Sequence, residues 1–207
     1  MPKVVPEYKD EARKKIIVAA LEVMGTKGYH DTTMDDIAAH LGVSKGAIYL
    51  YFKTRDELLA AFMAKMQQQN YEAAIRIFPK AKPLESWTAL FDQYMQLDDQ
   101  FNALFFEIIA AATRNRAVKE IVANGIMTGV EYAARGITRQ QEKGLIHPGA
   151  DPRSVAVAIT SMFIGMRSLV MLGADRDEVR LQWSAVGRIL LGIGEETEDQ
   201  VEERPLP

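Results

Sequence analysis

The chain has 207 residues, 25 Lys or Arg against 28 Asp or Glu for a net charge of −3, three histidines and no cysteine. That length suits one or two domains with proper cores, and the lack of cysteine excludes a disulfide framework, thiolate catalysis and a zinc ribbon. His30, His40 and His147 form no spaced metal pair, no apolar run reaches the roughly 18 residues of a membrane span, and the N-terminus lacks a signal-peptide pattern, so a cytoplasmic protein without metal or cofactor is expected.

Helical periodicity begins near residue 8. Ile16, Ile17, Ala20, Leu21 and Met24 share one face, closed by Lys27-Gly28-Tyr29. Thr33 then precedes Met34, Ile37, Ala38 and Leu41, a second apolar face at helical spacing. The Thr33 hydroxyl can cap this helix, with Asp35 and Asp36 in the first turn, where the positive end of the dipole favours acids. Leu41-Gly42-Val43 ends it, and Gly42 supplies the left-handed backbone of a tight turn. Ser44 caps a short helix from which Ile48 and Phe52 can point inward. Thr54 and Glu57 form a capping box for the helix that follows.

This cap, turn and cap order is the punctuation that places a short helix in the major groove of DNA. Lys45 sits in the first turn of the short helix, where the dipole disfavours a cation, and no acid lies within four positions of it. A lysine there makes a small electropositive site suited to phosphate. Gly46 and Ala47 let the backbone approach a groove floor, Tyr49 and Tyr51 offer hydroxyls to phosphate oxygens, and Lys53 adds a charge at the far end. Residue by residue, solvated lysines and core tyrosines explain the same letters; the run as a whole favours DNA. The expected DNA-binding set is Thr33, Ser44, Lys45, Gly46, Ala47, Tyr49, Tyr51, Lys53 and Thr54.

The stretch Thr33 to Leu58 resembles the helix-turn-helix of the tetracycline-repressor (TetR) family: a Thr-initiated helix, a Gly-Val-Ser turn, a Tyr-x-Tyr-Phe recognition helix, a Lys, and a capped fourth helix opening with Asp-Glu-Leu. The likeness covers about the first quarter of the chain. Charge does not make this a basic domain, since residues 1–53 hold eight Lys or Arg against seven Asp or Glu. A few placed cations, weak non-specific binding and a modest salt dependence are expected, near 0.9 in slope per phosphate neutralised.

Nine helices and no strands are predicted. The fourth runs from Thr54 to about Phe78 with an inward stripe of Leu58, Leu59, Phe62, Met63, Met66, Ala74, Ile75 and Phe78, and Pro79 and Pro83 break it. Helices follow over about 84–97, 101–113 and 116–143, the last ended by Gly144 and Pro148. Asp151-Pro152 opens the eighth, which Gly173 ends, and Asp175 starts the ninth, which reaches about Ile193. The domains are therefore 1–53 for DNA binding, 54–194 for effector binding and dimerisation, and 195–207 as an acidic, disordered tail. The fold class is all-α, three helices followed by six.

The last two helices carry apolar residues on more than one face, interleaved with small ones. One face suits the domain's own core and the other a partner helix. The TetR resemblance implies the same: a two-fold four-helix bundle making a homodimer, which would pair with a palindromic operator. The interface expected is Phe163, Leu169, Val170, Trp183, Val186 and Leu190. The resemblance also implies a small-molecule pocket in the C-terminal helices, for which Phe62, Met66, Trp87, Phe91, Tyr94, Phe105, Phe106, Glu107, Met127, Glu131, Met162 and Met166 are the candidate lining; plain core is the competing reading. Gly125, Gly129 and Gly136 in the seventh helix suggest close packing, a kink or a hinge.

Together these readings predict a ligand-responsive DNA-binding regulator, a repressor released by a small, largely apolar effector. An activator or a ligand-independent regulator fits the same residues. An enzyme lacks support, with no Gly-rich phosphate loop, nucleophile elbow or metal spacing. A helical small-molecule binder without DNA binding would leave the order around Lys45 unexplained.

Overall fold

The computed structural model describes residues 6–77, 83–95, 99–147, 149 and 151–191. Among these the chain is all-α, with nine helices and no strand: α1 (Pro6–Lys27), α2 (Met34–Leu41), α3 (Lys45–Tyr49), α4 (Arg55–Ile77), α5 (Pro83–Tyr94), α6 (Asp99–Ala112), α7 (Arg116–Glu142), α8 (Pro152–Met171) and α9 (Arg176–Leu191). The stops anticipated at Phe78-Pro79, Leu97, Pro148 and Ile193, the side chain of Ile75 and the tail 195–207 lie outside the described residues.

Packing divides the chain into two compact units, Met1–Gln68 with Leu97–Met127, and Gln69–Gln96 with Thr128–Pro207. The division falls within α4 and α7 rather than at residue 53. The expected boundary at 53 is one of task, and belongs to the functional proposal.

In the first unit, α1 contributes Ile16, Ile17, Ala20, Val23 and Met24 to a core shared with Ile37 of α2, Ile48 of α3, Leu58, Leu59 and Met63 of α4, Leu104 and Ile108 of α6, and Val118 and Val122 of α7. Each large side chain so enclosed contributes about 1.5–3 kcal/mol. Gly28 ends α1 with φ +87°, and its N–H donates to Met24 O at 2.8 Å. The turn beyond it is braced from α4. Tyr29 is wholly buried and donates its hydroxyl to Asp56 Oδ1 at 2.7 Å, while the Arg55 guanidinium lies 4.2 Å over its ring and donates to the carbonyls of His30 and Thr32. The helix-turn-helix is thereby tied to the start of α4.

The second unit is built around Trp87 of α5 and Trp183 of α9. Their rings stack at 4.3 Å, and each indole N–H donates to the other residue's carbonyl, at 2.8 and 2.9 Å. Two large buried rings thus leave no indole donor unsatisfied. Gly187, one turn beyond Trp183, makes the approach possible: a Cβ there would lie 2.1 Å from Trp87 Nε1. Phe91, Met95, Ile146 and Val179 complete this core.

Of the helix-seven glycines, Gly125 is a close-packing site, where a Cβ would meet Met63 Cε at 2.6 Å, and Gly136 faces open space. By length and composition α8 is apolar enough to cross a membrane, although Arg167, buried within the unit, interrupts its apolar run.

Candidate nucleic-acid interface

Helix α2 opens with a complete capping box. Thr33 Oγ1 accepts from Asp36 N at 3.2 Å, and Asp36 Oδ2 accepts from Thr33 N at 2.9 Å. Lys27 adds an ion pair at 2.6 Å; its hydrogen bond and those from Thr33 hold the Asp36 carboxyl down at about 2. Gly42 ends the helix in the left-handed region, φ 66° and ψ 30°. Ser44 Oγ then accepts from Ala47 N at 3.3 Å to start α3. Ile48 and Phe52 are enclosed as expected, and Arg13 of α1 covers the Phe52 ring at 4.3 Å and donates to Tyr51 O. Thr54 Oγ1 accepts from Glu57 N at 3.1 Å. The returning bond of the expected box shifts by one residue, Glu57 Oε2 accepting from Lys53 N at 2.7 Å.

With Ile48 and Phe52 locked inward, the outward residues of α3 are set. Ser44, Lys45, Gly46, Leu50, Lys53 and Thr54 are exposed, and Ala47, Tyr49 and Tyr51 half-buried. The expected DNA-binding residues from Ser44 to Thr54 therefore come together along one short element, with Thr33 at the head of the preceding helix. Thr33 has its hydroxyl and N–H occupied by Asp36, and Lys53 Nζ donates to the Tyr49 carbonyl. Lys45 is not a lone cation. Its Nζ lies 2.7 Å from Asp35 Oδ1, and that hydrogen bond raises its pKa. Asp35 stands ten positions away on another helix, beyond any sequence-neighbour test. The Arg55–Tyr29–Asp56 brace went unread for the same reason.

A model of the family described as "Bacterial regulatory proteins, tetR family" matches residues 16–62, from the middle of α1 to the first turns of α4. The fatty acid metabolism regulator protein of Bacillus subtilis (strain 168) is 46% identical over 142 residues, 67% of this chain and 73% of that protein. The chain belongs to the tetR family of bacterial regulatory proteins. Its fold is shared with Salmonella enterica GusR (TM-score 0.77, 21% identity, 92% of this chain and 100% of that one). It is shared too with the transcriptional regulator FadR from Bacillus subtilis, solved in complex with stearoyl-CoA (TM-score 0.69, 23% identity, 86% and 97%). Family members of this kind are DNA-binding transcriptional regulators.

The effector-pocket residues expected of a tetR-family chain are distributed over both units. In the first, Phe62 and Met66 pack against the core, Phe105 and Phe106 meet edge-on at 5.2 Å, and Met127 is exposed. Glu107 is spoken for: its Oε1 accepts from His30 N at 3.1 Å, just past the Gly28 turn. In the second, Trp87 and Phe91 are filled core, and Glu131 is exposed. Tyr94 lies edge-on to Phe163 at 5.1 Å, and burial pushes its phenol up to about 12. Met162 and Met166 are half-buried against the tryptophan core. A cleft of about 320 Å³ opens on the second unit between α5 and α9, lined by Leu84, Glu85, Thr88, Ala89, Asp92 and Arg180. It uses none of the expected lining.

Of the residues expected at a dimer interface, Trp183 is corrected: it is wholly enclosed by its own unit and has no surface to offer. Phe163, Val170 and Leu190 are half-buried against that core, and Val186 is half-buried. Leu169 is exposed. The most exposed apolar residues on α8 and α9 are others, Ile189 (79%), Leu172 (78%, at the end of α8) and Leu181 (67%). Amphipathic periodicity located the helices but not which turn faced inward.

Proposed function

We propose that this protein is a transcriptional repressor that binds a palindromic operator as a homodimer and is released by a small, largely apolar effector. The observation that carries the reading is the helix-turn-helix itself. Both helices are capped, Ile48 and Phe52 are locked in the core, and Ser44, Lys45, Gly46, Ala47, Tyr49, Tyr51, Lys53 and Thr54 are gathered on one outer element. Lys45, Lys53 and the tyrosine hydroxyls would position phosphates. The exposed leucines and Ile189 of α8 and α9 support self-association, since apolar surface of that kind is covered in assembled proteins. Such a protein would act in the cytoplasm, where its DNA is.

The effector class is drawn from the relatives. A 46%-identical regulator of fatty acid metabolism and a similar fold holding stearoyl-CoA support an acyl compound. The half-buried Met162, Met166, Phe163 and Tyr94 of the second unit are the adaptable side chains such a ligand would displace. Release follows if the ligand prefers a conformation that separates the two recognition helices from successive major grooves; operator affinity then falls by the ligand's differential affinity for the two states.

The deciding experiment is selection of bound sequences from random duplex DNA, with oligomeric state measured by sedimentation. Enrichment of a palindrome by a dimer is expected, followed by its release on titration with long-chain acyl-CoA. Failure to enrich any sequence at low salt would overturn the DNA-binding reading. Enrichment that acyl-CoA leaves unchanged would overturn only the effector.

A further inference from the structure

Leu50 is 79% exposed on an element whose other large apolar residue, Ile48, is wholly buried. It closes α3 in right-handed helical geometry, φ −66° and ψ −27°. At about 100° per residue it stands some 200° from Ile48, and therefore on the outward face with Gly46 and Ala47, four and three positions earlier. That face holds a glycine, an alanine and one leucine.

Gly46 is unexplained by the protein's own packing. A Cβ there would meet nothing closer than Ser44 Oγ at 3.9 Å, and its φ is not positive, so an alanine would fit and would strengthen the helix. With no side chain at this position, the backbone is open to close approach from outside. Leu50, one turn on, is the side chain that object would meet.

Lys45, which shares its charge with Asp35, and Lys53 are exposed at either end of the same element and favour an anionic object. A polyanion that also presents an apolar group is needed. In the major groove of DNA that group is the C5-methyl of thymine, which no other unmodified base carries. Resting on the DNA-binding reading above, we infer that Leu50 reads a thymine methyl in each half-site, with Gly46 allowing the backbone close enough for the contact.

Replacing thymine by deoxyuridine removes that methyl alone. On the selected operator, each thymine is exchanged for deoxyuridine in both half-sites, one symmetric position at a time, and affinity is measured for the full chain and for Leu50→Ala. One position is expected to cost the wild type roughly four-fold per half-site, the worth of one buried methyl-sized group. Leu50→Ala should lose a similar factor on the thymine operator and nothing further on deoxyuridine. Leu50→Met, similar in size, should keep part of the discrimination, which separates loss of the contact from loss of folding. Two outcomes overturn the inference alone: a wild type that binds its operator yet ignores every exchange, or a Leu50→Ala protein that still discriminates. A change in sedimentation of Leu50→Ala with discrimination intact would assign Leu50 to a protein contact instead. No enriched operator at all would fell the DNA-binding reading and this inference together.

Discussion

Lys45 Nζ lies 2.7 Å from Asp35 Oδ1, so an ion pair joins the first turns of α2 and α3 across the Gly42 turn. Both partners are exposed, and the pair holds the lysine by its neighbour rather than extended into solvent. A phosphate must share or replace that carboxylate.

Asp35→Asn should therefore tighten binding to specific and scrambled duplexes alike, and steepen the salt dependence by about 0.9 in log–log slope. Lys45→Ala should do the reverse. Fluorescence anisotropy over a salt series reads both. Unchanged slopes in the two variants would mean that Lys45 meets no phosphate.

Asp36 contributes stability to the helix-turn-helix that acid removes. Its carboxyl is held at about 2 in the folded chain against an ordinary 3.8, because Lys27 and Thr33 donate to it. The charged form is favoured by folding, so its stabilisation is full above about pH 4 and lost as pH falls through 2. Melting curves of wild type and Asp36→Asn should differ most at neutral pH and converge toward pH 2. A gap that is independent of pH would show that the carboxylate's charge plays no part.

Tyr29 contributes stability that alkali removes. Burial, and then the hydrogen bond to Asp56, push its phenol up to about 12 from an ordinary 10. The neutral form is favoured by folding, so that contribution is complete below pH 10 and lost as pH rises toward 12. Tyr29→Phe removes one buried hydroxyl bond, costing about 1–2 kcal/mol near neutrality. It should also flatten the decline in melting temperature above pH 10. The same decline in both proteins would place the alkaline limit elsewhere.

Two helical glycines should respond oppositely to alanine. At Gly187 a methyl would strike the Trp87 indole, which is enclosed and hydrogen-bonded and cannot retreat. Overpacking of this kind costs about 1–3 kcal/mol, and the near-ultraviolet circular dichroism of the stacked tryptophans should weaken with it. At Gly136 nothing lies within 4 Å, and alanine should stabilise α7 by up to about 1 kcal/mol. Urea unfolding of the two variants reads both signs.

Much of this molecule was legible as letters. The sequence by itself determined the helices and their caps, because Thr33, Gly42, Ser44 and Asp151 act on backbone groups within a few residues, and such chemistry is local. It also offered Ile48 and Phe52, four positions apart, as one inward face, with Gly46 some 200° from Ile48. Only the tertiary structure decided which distant groups meet. Asp35 beside Lys45, Arg55 over Tyr29, Glu107 on His30 N, and Trp183 folded against Trp87 all join residues from different elements. Periodicity says that a helix has an apolar face, but the rotation and neighbour of that face are set by packing within its own unit. For that reason Gly187, an unremarkable letter, turns out to be a point where α5 and α9 can touch.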